Sequence, residues 1–508
     1  MKTAKILLLL VLIMLLPGCQ GPELPPRQTV VVTPTAEAPA QEALDPFAIA
    51  WDDRSLFRAG LTTGQAEILG QLAQASDYRL EVHLDESLAH LRCRQAVRYT
   101  NQEQDTLNEI CFRLFPNILG GALDVESLDV DGIPVGPSFD PPASAMRVLL
   151  PEPLPPSQRA VIEMAFRLDI PTSGEGNYGM FGLQDGVLAL AHFFPIIPAY
   201  DEEGWHDEIP PRHGDLLYAD IAYFLVSVRA AASVTLVASG TEVGRTVSPD
   251  QQHVMYAAGP MRDYYLVVSE GFERVTARVG DTSVNSYAPR QQAEGARAVL
   301  QYATKAVQVF NARFGRYPFT ELDLVTTPTS AYGIEYPGIV ALAVRLYGPE
   351  SAYPPVYLES TVAHEVSHQW FYGVVGNDQQ GDPWLDEALA QYSTVAYYED
   401  TYGPAAADGF RSSLYERWQR VDDAPIPIGL SVSDYTATEY GAIVYGRGPL
   451  FIEALASAMG EANFDRFLRD YYQSNSWGVA TTAAFQQLAE DHCSCDLDGL
   501  FQQWVGSR

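Results

Sequence analysis

The sequence predicts a multidomain α+β protein: an N-terminal antiparallel β domain followed by a second domain with a helical C-terminal part. Three observations carry this reading. At 508 residues the chain exceeds one ordinary core and suggests roughly two to four domains. From residue 78 to about 275 the apolar residues recur with period two, the mark of half-buried strands. From about 290 they recur at helical spacing instead. A hydrophobic fraction of 47% with 11% aromatics can fill both cores.

The first segment, 1–19, reads as a signal peptide. Lys2 and Lys5 precede an apolar run of eleven residues, 6–16. That is shorter than the roughly 20 residues a membrane-spanning helix needs, and it suits a signal h-region. Its end, Leu16-Pro17-Gly18-Cys19, resembles a bacterial lipobox. The resemblance implies a lipidated Cys19 and an extracytoplasmic, membrane-anchored lipoprotein. Residues 20–50 follow as a disordered tether, because the Pro-, Ala- and Thr-rich run 22–43 cannot bury a core.

Residues 51–275 form the expected β domain. After a short helical entry at 54–74, the stretch 78–84 alternates apolar and polar residues strictly. Further strands are expected at 107–115, 160–168, 222–228, 233–238 and 264–269, giving an antiparallel domain with one buried face. If 92–100 and 109–115 pair as a hairpin, Cys93 faces residue 115 rather than Cys111, so no disulfide is evident there. Cys493 and Cys495 are too isolated for a four-ligand zinc site. All four read as structural or free cysteines.

Residues 276–508 form the second domain. Ala296, Val299, Leu300, Ala303, Val307 and Phe310 mark a helix over 291–314, stopped by Gly315 with Pro318 beyond. A strand follows at 322–326, then helices at 355–373 and 383–398 and several more to the end. Acidic residues outnumber basic ones 64 to 32, a formal charge of −32. Such a surface repels phosphate backbones and argues against nucleic acid as a partner.

The chemistry concentrates in His364-Glu365-Val-Ser-His368. Two histidines four apart lie on one helical face, so both imidazoles can reach one metal ion. Glu365 lies about 100° around the helix, near the metal but free to act on water. Nineteen residues after His368 comes Glu387, in a segment where Asp382 can N-cap a helix with Pro383 at its first position. Glu387 then falls in the second turn, facing the first helix. Two histidines and one carboxylate leave a fourth tetrahedral position open, the pattern of a catalytic rather than structural zinc site. His364, His368 and Glu387 are the expected ligands of one zinc ion, and Glu365 is the expected general base.

Together, HEVSHQWFYGVVGND and PWLDEALAQY resemble the gluzincin peptidases of the aminopeptidase N family, with the pattern HExxH-x18-E. The resemblance implies a thermolysin-like zinc peptidase domain behind the β domain, peptide substrates, and aminopeptidase action by a short lipoprotein member. Asp386 and Ala388 depart from the usual Asn and Gly. Tyr332-Gly-Ile-Glu335-Tyr-Pro-Gly338 is similar to the family's GxMEN segment, which implies that Glu335 holds the substrate's α-ammonium. Tyr445-Gly-Arg-Gly448 is similar to the YxKG segment, which implies that Tyr445 donates to the oxyanion. Tyr440 is the alternative donor, and Arg447 keeps the segment's positive charge. His192, Trp205, His206 and His213 receive no chemical role. Two other readings stay open: a gluzincin endopeptidase or other zinc hydrolase, and a non-catalytic, surface-anchored binding module.

Overall fold

In the computed structural model, residues 45–172, 177–348 and 351–506 are described. The signal segment, Cys19 and most of the tether lie outside them. The first half is built on an eight-stranded sheet. Its spatial order is Thr241–Val247, Gln251–Met261, Ala222–Ala231, Ser76–Leu84, His90–Thr100, Arg159–Asp169, Ala122–Val130, Ile133–Pro134. Tyr78, Leu80, Val82 and Leu84 are buried, as their alternation requires.

Three local expectations are corrected here. The sheet is mixed rather than antiparallel, because Ser76–Leu84 runs parallel to Ala222–Ala231, with Ser76 opposite Ala222. The long stretch between these strands permits the crossover that parallel pairing requires. Nor is a single face buried: Asp77 and Arg79, on the polar face, are 0% and 1% exposed. Residues ahead of the strand cover that face, and Arg54 grips Asp77 through bonds of 2.6 and 2.9 Å. The expected cysteine-bearing hairpin does not form either. His90–Thr100 pairs with Ser76–Leu84 and Arg159–Asp169, and Cys93 lies opposite Val82 and Phe166. Leu107–Arg113 joins a separate three-stranded sheet beside Ala145–Leu154. Cys93 and Cys111 are buried and free, while Cys493 and Cys495 are bonded to each other.

The second half carries a five-stranded sheet in the order Phe272–Val279, Thr282–Pro289, Glu321–Thr327, Ile339–Ala343, Gly333–Ile334. Phe272–Val279 straddles the expected boundary at 275/276 and belongs to this second sheet. The helix Ala293–Arg313 is the crossover between the parallel strands Thr282–Pro289 and Glu321–Thr327. The edge strand Gly333–Ile334 packs beside the helix Pro355–Ser367. That helix stops at Ser367, short of the expected 373, with His368 as its C-cap. Just beyond it, Trp370 is fully buried and donates from Nε1 to the Gly315 carbonyl at 2.8 Å. Its ring meets Phe310 edge-on at 5.6 Å. Burial of such a side chain contributes about 1.5–3 kcal/mol, and here it fixes the motif against the crossover helix. Helices from Trp384–Tyr402 to Asp498–Trp504 complete the chain.

Candidate metal centre and cleft

His364 and His368 lie one helical turn apart and converge, with their Nε2 atoms 3.2 Å apart. Nδ1 of His368 lies 3.1 Å from the Phe371 carbonyl. A carbonyl can only accept, so Nδ1 donates to it, and Nε2 is the ring nitrogen turned toward a metal ion. Glu387 enters from the helix Trp384–Tyr402. Its Oε2 lies 3.1 Å from His364 Nε2 and 3.5 Å from His368 Nε2. Metal–ligand bonds of about 2.0–2.2 Å at tetrahedral angles separate donors by about 3.3–3.6 Å. This triangle of two imidazole nitrogens and a carboxylate oxygen therefore fits zinc in size and in donor chemistry. Glu387 reaches it from the first turn rather than the second, because Pro383 takes the N-cap position expected of Asp382.

Burial draws the His364 pKa down to about 4, which keeps the ring neutral. Burial would lower His368 as well, but Glu335 and Glu387 outweigh it and raise that imidazole well above its usual value. Burial alone would raise Glu387, yet the two histidines hold its carboxyl well below the carboxylate range.

Glu365 is buried at the floor of the cleft. Burial, and next the charge of Glu335, raise its pKa well above the ordinary glutamate value. Its position depends on Gly333 of the edge strand. A Cβ at 333 would lie 2.5 Å from Glu365 Cγ and 2.6 Å from its Cδ and Oε1. No side chain fits there without displacing Glu365.

Glu335 follows the edge strand directly and is also buried. Gln379 bridges it to Asp386, donating to Glu335 Oε1 at 3.2 Å and to Asp386 Oδ2 at 2.9 Å. Carboxylate oxygens of Asp215, Glu335 and Glu387 lie within 4.8 Å of one another. Burial, with Glu335 and Glu387 adding to it, raises Asp215 well above the ordinary range, and burial raises Glu335 too. Asp215 and Gln379 escaped the sequence reading. Asp215 sits in a loop of the first half, and no local periodicity ties it to a helix more than a hundred residues away.

Tyr445 lies in a π-helical turn, Ile443–Arg447, between the helices Ala437–Ala442 and Gly448–Met459. A capping box of Thr436 and Glu439 starts this run. The Tyr445 hydroxyl donates to Glu387 Oε1. Burial, then Glu387, raises the phenol pKa well above its usual value and keeps it protonated. Tyr440 packs edge-on against Tyr445 at 5.5 Å. Arg447 is buried away from the metal triangle, donating to the carbonyls of Ile426, Gln503 and Trp504. It clamps the last helix rather than serving the cleft. A Cβ at Gly448 would lie 2.9 Å from that of Ala388, so this glycine allows the two helices to touch.

Asp215, Gly333, Glu335, His364, Glu365, Glu387, Tyr440 and Tyr445 line one cleft of about 350 Å³. Of the four residues given no role, His192 pairs with Asp263 at 2.9 Å and His206 with Asp201 at 2.7 Å. The His213 ring packs 5.4 Å from Tyr440, and Trp205 packs edge-on to Tyr200 at 4.9 Å.

Residues 299–504 match the family model described as the peptidase family M1 domain. Among curated proteins the chain is similar to aminopeptidase M1-B of Oryza sativa subsp. japonica, 23% identical over 302 residues. That match covers 56% of this chain and 34% of the relative. The human endoplasmic reticulum aminopeptidase 2 is 22% identical over 368 residues, 66% of this chain and 36% of that protein. The chain thus spans about a third of the length of these relatives. Among solved structures, the M1 zinc metallopeptidase from Deinococcus radiodurans superposes with a TM-score of 0.61 at 21% identity. That likeness covers 86% of this chain and 93% of the other. Residues 299–504 thus resemble a peptidase family M1 domain, within a chain that shares the fold of a solved M1 zinc metallopeptidase.

Proposed function

We propose that the protein is a zinc-dependent aminopeptidase that removes residues from the N-terminus of peptides. The observation that carries this reading is the acidic pair Asp215 and Glu335 set against the metal triangle. A carboxylate pair in a desolvated cleft favours a cation, and a peptide's free α-ammonium is a cation next to the bond to be cut. The chemistry that zinc supplies at such a site is Lewis acidity toward water and a carbonyl oxygen.

His364, His368 and Glu387 hold the ion. Asp215 and Glu335 hold the ammonium and set the first peptide bond beside Glu365. Glu365 takes a proton from the attacking water as the new C–O bond forms, then gives it to the leaving amine as the C–N bond breaks. The Tyr445 hydroxyl, already beside Glu387, donates to the oxygen on which negative charge develops. Aminoacyl-arylamides with and without N-acetylation, assayed with zinc and with chelator, test the reading. Cleavage of free-amino substrates alone, lost with chelator, is expected; equal rates on acetylated substrates would exclude it.

The reading extends to location. Lys2, Lys5, the apolar run 6–16 and Cys19 support a lipid-anchored protein acting outside the cytoplasm. Cys19→Ser should release the protein from the membrane fraction, and its retention there would count against the anchor.

A further inference from the structure

The cleft that holds these carboxylates is also lined by a guanidinium. Arg417, in the last turn of the helix Pro404–Trp418, is the one Lys or Arg among the described residues that line the cleft. Its guanidinium makes no hydrogen bond or ion pair with any described residue. This is unusual in a chain with twice as many acids as bases. Arg411, two turns earlier on the same helix, engages both Asp408 and Glu453.

The placement of Arg417 is enforced by packing. A Cβ at Gly446 would lie 2.9 Å from the Trp418 nitrogen and 3.1 Å from Arg417 Cβ. The helix end is therefore seated directly on the turn that carries Tyr445. Tyr332 and Tyr357 flank the same part of the cleft, 40% and 41% exposed, with their rings 5.9 Å apart. Burial and the nearby Arg420 lower the Arg417 pKa, but a guanidinium stays charged at neutral pH. Five N–H donors thus face a cleft whose other charged groups are acidic or imidazole.

We infer that Arg417 receives the C-terminal carboxylate of a short peptide whose ammonium is held at Asp215 and Glu335, so that the enzyme selects short free peptides. A guanidinium fork matches a carboxylate bidentately, and a zwitterion offers one group to the acids and the other to the guanidinium that line this one cleft. The inference rests on the aminopeptidase reading.

Its test compares three tripeptides with the same first two residues: a free acid, its C-terminal amide, and an amide with glutamate third. The wild-type protein should cleave the free acid about tenfold or more faster than the plain amide in kcat/KM. In Arg417→Gln that ratio should fall to about one, with Arg417→Lys in between. Equal wild-type rates on free acid and amide overturn the proposal, as does an undiminished ratio in Arg417→Gln. If the glutamate amide matches the free acid, the receptor reads a side-chain carboxylate and the C-terminal assignment falls. Aminoacyl-arylamides separate the two readings: their cleavage alongside equal acid and amide rates leaves the aminopeptidase standing and removes only the role of Arg417.

Discussion

Two buried polar clusters in this chain treat charge in opposite ways. In the first half, Asp77 is fully buried but receives Arg54 at 2.6 Å and Arg98 at 2.9 Å, with Arg79 at 3.9 Å. Around the cleft, Glu335, Glu365, Asp386 and Glu387 are buried with Asp215 beside them, and among the described residues His364 and His368 are the bases paired with this group, both through Glu387. No described Lys or Arg forms an ion pair with any of the five. A buried carboxylate without a cation is costly. The first cluster is neutralised from within and holds the fold. The second holds acid in excess of base, which favours cations arriving from outside, on the proposed reading a metal ion and a substrate ammonium. Burial raises the pKa values of Asp215, Glu335, Glu365 and Asp386 first, and the neighbouring carboxylates add to it.

The comparison can be broken most sharply at Glu365. Glu365→Gln should keep stoichiometric zinc by metal analysis yet lower kcat by about 10²–10⁴-fold; activity within tenfold of wild type would remove Glu365 from the chemistry. Tyr445→Phe should lower kcat by about 10²–10³-fold with little change in KM, and a change in KM alone would assign the hydroxyl to ground-state binding. Gly333→Ala should cost about 10²-fold in kcat, because its methyl displaces Glu365; an unchanged rate would show that the edge strand yields. Asp77→Ala belongs to the other cluster. It should cost about 3–5 kcal/mol in stability by denaturant unfolding while the folded protein keeps its kcat.

The smallest effect concerns Asp386, whose pKa burial raises to about 7. A carboxyl raised above its unfolded value of 3.8 favours folding in its neutral form, so its stability contribution is lost as pH climbs from about 4 through about 7. In chelator, Asp386→Asn should therefore gain in Tm relative to wild type as pH rises across that window. A difference independent of pH would place the strain elsewhere.

Much of the site was legible because its core is local. His364, Glu365 and His368 sit on one helix, where spacing of one and four residues fixes their relative positions. The period change near 290 marked the passage to the helix–sheet half. The parallel pairing of Ser76–Leu84 with Ala222–Ala231 was not legible, since alternation gives a strand's faces but not its neighbours. The end of the motif helix at Ser367 was missed for a related reason. The residues after it are apolar enough to continue a helix, but they are drawn into a turn in which Gly373 donates to the His368 carbonyl. Asp382 looked like a cap, and Pro383 occupies that position instead.

By itself, then, the sequence determined the identity and helical placement of the donor set, the order of a β half before a helical half, and the acidic character of the whole. The tertiary structure alone decided that Asp215 stands beside Glu335, that Gly333 leaves room for Glu365, and that Arg417 lines the cleft with no partner among the described residues. The physical reason is range. Helical geometry acts over a few residues and can be read from spacing, whereas the charge balance of a cleft is set by side chains that only the folded chain brings together.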